Sequence, residues 1–148
     1  MNNVQISTLI DQCPLVRSKF DGIFALDTLP PVPLKDKTYI CNLDPSDEPG
    51  SHWISIYTPS NGPSEYFDSY GLDAPAELEK SFLQPDYIYN QRSLQSPLSS
   101  VCGQYSLYFI WQRPLQESMN ITLEIFDECY QYYNDWLVNR LIEEHFDF

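Results

Sequence analysis

The run Cys102-Gly103-Gln104-Tyr105-Ser106-Leu107-Tyr108-Phe109-Ile110-Trp111-Gln112 constrains the fold more than any other stretch of this chain. It is apolar on almost every side at helical spacing. A helix of that kind has no face to offer to water, so other elements must close around it. Arg113-Pro114 ends it, because proline cannot continue a helix, and Ser99 or Ser100 is placed to cap its start. The cysteine that opens it sits in the first turn, where the helix dipole favours negative charge. The first residue of the most buried element is therefore also a candidate for chemistry.

The remaining segments supply what encloses it. Residues 3–12 carry Val4, Ile6, Leu9 and Ile10 at helical spacing and are ended by Cys13-Pro14. Asp21 to Asp27 reads as a turn entering a short strand, followed by a stiff proline-rich connection over 28–33. Lys37 to Leu43 is a strand by its β-branched and aromatic content, and 44–50 is a polar loop. His52–Tyr57 and Glu65–Ser69 flank Asn61-Gly62 and form a hairpin. Residues 73–83 read as a helix with Asp73 as N-cap and Pro75 in its first turn. Residues 86–90 are a short strand, and 121–145 form one long amphipathic helix or two shorter ones. These segments predict an α+β fold in a single domain spanning 1–148. A central mixed or antiparallel sheet is packed by the buried helix that starts at Cys102 and by C-terminal helices.

Charge narrows the partners. With 21 acidic against 8 basic residues the net charge is −13, and no basic stripe is present to neutralise phosphates, which argues against nucleic acid. Asp44–Glu48 and Glu143–Asp147 read as solvated acidic surface. No apolar run approaches the ~20 residues of a membrane span. The first residues lack a basic stretch followed by an apolar core, so an intracellular protein is expected. The four cysteines have no short zinc-type spacing, so no metal is expected, and their thiols should be reduced. Cys13, Cys41 and Cys129 read as small buried apolar side chains.

Cys102 is different because of what precedes it. Folding the hairpin about residue 61 sets position 52 opposite 70 and 54 opposite 68. His52 and Asp68 then share a face one diagonal step apart, whereas a slip of one residue would put them on opposite faces. A thiol attacks a carbonyl as thiolate, and a nearby His52 imidazolium lowers its pKa. A carboxylate such as Asp68 orients the ring and stabilises its charge. The oxyanion formed by attack needs preorganised donors, and the Gln95 amide with the Cys102 backbone N–H is the natural pair. Each residue alone has a plainer reading. His52 is a structural strand histidine, Asp68 a turn cap, Gln95 a polar loop residue and Cys102 part of the core. His145, in the acidic tail, reads as surface. Jointly the four supply different parts of one mechanism.

These residues also resemble a known family. Gly50-Ser51-His52-Trp53, then Tyr66-Phe67-Asp68-Ser69-Tyr70-Gly71, then Gln95-Ser96-Pro97-Leu98-Ser99-Ser100-Val101-Cys102-Gly103 are similar to the motifs of the adenovirus protease (adenain) family. More distantly they resemble the ubiquitin-like-protein proteases. Phe20 to Pro30 resembles versions found in adenovirus-like elements such as Maverick/Polinton transposons. The resemblance covers about residues 20 to 112. It implies the fold of those proteases, with Cys102 as nucleophile, His52 as base, Asp68 as its orienter and Gln95 as oxyanion donor. It further implies that Trp53, Asp27 and Gly103 bind substrate, Trp53 lining a narrow slot for small residues. The implied activity is cleavage of viral or transposon structural precursors, such as capsid or core proteins, beside glycine.

The chain departs from the family in two ways. The viral enzymes are basic and assisted by DNA, which a charge of −13 does not favour. They also take an activating peptide through a disulfide to a cysteine between the acid and the glutamine, and no cysteine lies between Asp68 and Gln95 here. No cofactor is expected, and a monomer acting on a protein substrate is. Two other readings stay open: a deconjugase of ubiquitin-like modifiers, which shares the chemistry, and a binding module on the same fold with the chemistry lost.

Overall fold

The computed structural model describes residues 1–44, 46–47 and 52–147. Five strands form one mixed sheet in the order β1 (Phe20–Ala25), β2 (Lys37–Asn42), β3 (Trp53–Thr58), β4 (Glu65–Phe67) and β5 (Ile88–Tyr89). The two central junctions, β2–β3 and β3–β4, are antiparallel, and the outer ones, β1–β2 and β4–β5, are parallel. The helices are α1 (Asn3–Asp11), α2 (Pro14–Arg17), α3 (Ala76–Leu78), α4 (Cys102–Gln112), α5 (Met119–Leu123) and α6 (Gln131–Phe146).

Side chains alternate across the strands, so the sheet makes two cores. Ile40, Tyr57 and Phe67 face α4, and α1 and α6 close around it with Ile6, Ile10, Val138 and Ile142. Phe67 and Phe109 stack with ring centroids 4.8 Å apart. Tyr39, Cys41, Ile54, Ile56 and Tyr66 face the other way, onto Leu78, Phe82 and Leu83. Each such large side chain contributes about 1.5–3 kcal/mol on burial. The enclosure expected of the 102–112 run is what the structure shows: every residue from Cys102 to Ile110 is buried. One ion pair lies inside as well. The Arg113 guanidinium donates to Glu65 through Nε at 2.6 Å and Nη2 at 2.8 Å, fastening the end of α4 to β4.

Several local expectations are corrected. Neither Ser99 nor Ser100 caps α4; Val101 precedes it, with no side-chain cap. The segment 73–83 becomes helical only at Ala76, because Pro75 is extended at ψ 150° and Asp73 makes no cap. It then widens into a π turn over Glu79–Leu83. Of the two forms expected for the C-terminal segment, the structure shows two shorter helices, α5 and α6. Asn134 closes the turn between them by accepting from the Asp127 N–H and donating to the Asp127 carbonyl. Of the three cysteines expected to be buried, Cys41 is, and burial pushes its thiol up to about 12. Cys13 is half-buried and Cys129 is exposed on that same turn, where its N–H donates to the Asp127 carboxylate. Among the described residues no helix is long and apolar enough to cross a membrane.

Candidate active site

The β3–β4 hairpin pairs Ser55 with Phe67, Ile56 with Tyr66 and Tyr57 with Glu65. Continued outward, that register sets 54 opposite 68 and 52 opposite 70, as the Asn61-Gly62 turn implied; Gly62 takes a φ of +100° there. His52 enters β3 and Asp68 leaves β4 at the same end of the sheet. The His52 ring lies on Tyr70 with centroids 4.9 Å apart, and its Nε2 is 2.8 Å from Asp68 Oδ1. Asp68 is itself held from several sides. Its Oδ1 accepts the Tyr70 N–H. Asn90 accepts from its backbone N–H and donates to its backbone carbonyl. Gly71 completes this turn at φ +76°, where a Cβ would stand 2.6 Å from the Arg92 carbonyl carbon.

With Nε2 committed to Asp68, Nδ1 is the ring nitrogen left for Cys102, which lines the same cavity as the ring. The Trp53 backbone N–H also donates to Cys102 Sγ at 3.4 Å. Burial disfavours charge on His52, yet its hydrogen bonds to Asp68 and Cys102 and their negative charge outweigh this and raise it to about 9. Burial likewise opposes the Cys102 thiolate, but the His52 hydrogen bond, the Trp53 N–H and the ring's positive charge bring its pKa below the ordinary thiol value. Cys102 opens α4 with no side-chain cap from Val101, and among the described residues no side chain accepts from the first-turn N–H groups.

Gln95 is buried beside this pair. Its Oε1 accepts from Ser69 Oγ at 2.6 Å, and its Nε2 donates to the Ser99 carbonyl and hydroxyl at 3.2 and 3.1 Å. The segment that carries it is fixed by α6. The Asp135 carboxylate accepts the Ser96 N–H and the Tyr105 hydroxyl, and Asn134 donates to the Leu94 carbonyl.

These groups surround a cavity of about 290 Å³ lined by His52, Trp53, Tyr70, Gln95 and Cys102, with Met1 at one side. The Met1 carbonyl accepts from Trp53 Nε1 at 2.9 Å. Its side chain lies over Gly103, where a Cβ would come within 2.9 Å of Met1 Cβ. Met1 and Trp53 also border a second cavity of about 380 Å³, lined by Ile23, Phe24, Ala25, Asn42, Asp44 and Ser46.

Of the residues singled out from sequence, the structure brings Cys102, His52, Asp68, Gln95 and Trp53 together. Gly103 lies beneath Met1. Asp27 stands apart, fully exposed in the turn after β1. It accepts the Ser46 N–H at 2.8 Å and the Ser46 hydroxyl at 2.9 Å, which lower its pKa. Its link to the site is that Ser46 lines the second cavity. Gly50 and Ser51, which lead into His52, lie outside the described residues.

Sequence reasoning missed Met1, Tyr70, Ser69, Asn90, Asn134 and Asp135. The hairpin count already sets Tyr70 opposite His52, and Asn134 and Asp135 left a signal of their own. Asn134 is four residues from Val138 and eight from Ile142, and Asp135 adjoins it, so a polar pair stands on the buried face of an amphipathic helix. Such groups need partners. Among the described residues no three His, Cys, Asp or Glu side chains converge as a metal site would require. The arrangement as a whole can ionise a thiol, hold a proton on an adjacent ring and offer amide donors beside both.

No protein-family model matches the chain, and no curated protein does. Among solved structures it is similar to the crystal structure of the ASFV pS273R protease, with 20% identity and a TM-score of 0.43 over 66% of this chain and 42% of that one. The selenomethionine crystal structure of the same protease gives 21% identity and a TM-score of 0.45 over 66% of this chain and 43% of that one. The chain thus spans less than half the length of the structures it matches.

Proposed function

We propose that the chain is a cysteine endopeptidase that cleaves structural precursor proteins of a virus or virus-like transposon beside glycine. The observation that carries this reading is the line Asp68–His52–Cys102 at the uncapped start of α4, with Gln95 buried next to it. The Cys102 thiolate attacks the scissile carbonyl. The oxyanion is received by the Cys102 backbone N–H and the Gln95 amide, which exchanges a Ser99 contact for it. The His52 imidazolium gives its proton to the leaving amine, and the neutral ring then activates the water that releases the acyl group. Asp68 keeps the ring in the orientation and tautomer that this exchange needs.

The preference for glycine is supported by the wall of the site. Trp53, whose indole N–H donates to the Met1 carbonyl, presents a flat wall to the cavity beside Cys102, which suits a residue without a side chain. The strongly acidic chain suits a protein substrate better than a nucleic acid. The reading requires no metal or cofactor, no DNA and no disulfide-linked peptide, and a monomer suffices.

Co-expression with the neighbouring open reading frames of its genome, followed by mass spectrometry of new termini, tests the proposal. Cuts beside glycine are expected, and Cys102→Ala and His52→Ala should each abolish them. Full cleavage by either variant removes the reading. Rapid labelling of Cys102 by an electrophilic ubiquitin-like probe, without precursor cleavage, would instead mark a deconjugase.

A further inference from the structure

A second cysteine–histidine pair lies outside the cavity of Cys102. Cys13 joins α1 to α2, and its main chain is held on both sides. Its N–H donates to the Ile10 carbonyl at 3.0 Å, and its carbonyl accepts the Arg17 N–H at 2.9 Å. This fixes the direction of its Cα–Cβ bond. Sγ stands 3.4 Å from His145 Nε2, near the end of α6. The imidazole is fixed in turn. It lies flat on Trp111 with centroids 3.7 Å apart at 11°, and the edge of Phe146 meets it at 4.7 Å. Two residues 132 apart in the chain are thus held in contact by elements that are each anchored in the core.

We propose that Cys13 is a second reactive thiol, activated by His145, and that it exchanges with small disulfides. His145 Nε2 accepts the thiol proton, and the Cys13 thiolate attacks one sulfur of the disulfide. The reagent's S–S bond breaks as a mixed disulfide forms on Cys13. The departing thiolate takes the proton from the imidazolium and leaves as a thiol. The protein thiol is oxidised and half of the reagent is reduced, so the exchange balances with the disulfide as the only oxidant. The His145 ring is exposed, but its face against Trp111 is shielded from water, which lowers its pKa and keeps Nε2 free to accept the proton at neutral pH.

The other thiols give the comparison. Cys129 is exposed, whereas Cys13 is only half-buried, so access alone ranks Cys129 first and assistance by His145 ranks Cys13 first. Cys41 is fully buried and should not react. Cys13 sits at the opposite end of α1 from Met1, so an adduct there does not enter the Cys102 cavity.

The test is exposure of the intact protein to 2-hydroxyethyl disulfide at neutral pH, an uncharged reagent that the acidic chain does not repel, with adducts resolved by peptide mass spectrometry. Cys13 should react faster than Cys129. His145→Gln should slow Cys13 by roughly tenfold while leaving Cys129 unchanged. Asp127 and Glu128 precede Cys129, so the comparison of two thiols mixes access with charge, and the variant separates them. Continued protection of Cys41 in the variant shows that it is folded. A Cys13 rate at or below that of Cys129 in the wild type, or a Cys13 rate unaltered by His145→Gln, overturns the proposal.

Discussion

Replacing Asp68 by asparagine removes a charge while leaving an oxygen where Oδ1 now sits. That oxygen still accepts the His52 Nε2–H and the Tyr70 N–H, both at 2.8 Å in the wild type, so geometry is retained and only the electrostatics change. His52 stands at about 9 against an ordinary 6.5. At ~1.4 kcal/mol per pH unit, that is a net preference of about 3 kcal/mol for the charged ring. The preference survives the opposing effect of burial and is shared between Asp68 and Cys102. A single neighbouring carboxylate accounts for roughly 1–3 pH units in such settings. Without it, His52 should fall by roughly 1–2 units, and the Cys102 thiol, which depends on the imidazolium, should rise.

The sign follows from which form each group needs. The thiolate exists above the lowered Cys102 pKa, and the imidazolium exists below about 9, so the reactive pair fills the window between them. Asp68→Asn narrows that window from both sides. The measurement needs no substrate: the rate of Cys102 alkylation by iodoacetamide is followed from pH 4 to 10 by mass spectrometry. The variant's acid limb should move to higher pH, with alkylation near pH 6 about tenfold slower for a one-unit rise. Alkylation of the exposed Cys129 in the same sample should not change. Superimposable Cys102 profiles for wild type and variant would refute the argument, because they would mean that Asp68 does not act on the thiol through His52.

Gln95→Ala should cut peptide turnover by roughly 10²–10³ but leave alkylation of Cys102 within about twofold, since alkylation forms no oxyanion; equal losses in both assays would assign Gln95 to structure. Asn90→Ala removes the acceptor of the Asp68 N–H and one of two donors to its carbonyl, the Gly71 N–H remaining. It should lower stability by about 2 kcal/mol and slow Cys102 alkylation at pH 7, read by denaturant unfolding and mass spectrometry. Glu65→Gln leaves the Arg113 guanidinium buried without its counter-charge. It should cost about 3 kcal/mol, a fall in melting temperature of about 10 °C, with Cys102 reactivity at lower temperature unchanged. Gly103→Ala forces Met1 away from its seat, and the Trp53 indole N–H resonance should move as it loses the Met1 carbonyl.

The parts of this site that could be read from sequence are those governed by local arithmetic. The turn at Asn61-Gly62 counts outward to 52, 54, 68 and 70 with no freedom except a slip, and the buried faces of β3 and β4 oppose a slip because it would turn Ile54, Ile56 and Tyr66 out of one core. The start of α4 was legible for a similar reason: eleven residues with no polar face have few places to lie. What could not be read is whatever depends on one element reaching another. Ser99 looked like a cap because serine before an apolar helix often is one; in the fold it holds Gln95 instead, and the helix start stays open. Asp73 and Pro75 had the composition of a helix start, but Pro75 is extended and the chain turns helical after it. The support that α6 gives to Leu94 and Ser96 spans about forty residues and no local pattern encodes it. Its trace is the polar pair Asn134-Asp135 on an apolar face. A buried amide or carboxylate on a core-facing stripe has to be satisfied by something outside its own helix, and in this chain that something is the loop bearing the candidate oxyanion donor. The residues that position a site can therefore be sought where helix periodicity is broken by polar groups, even when their partners are far away in sequence.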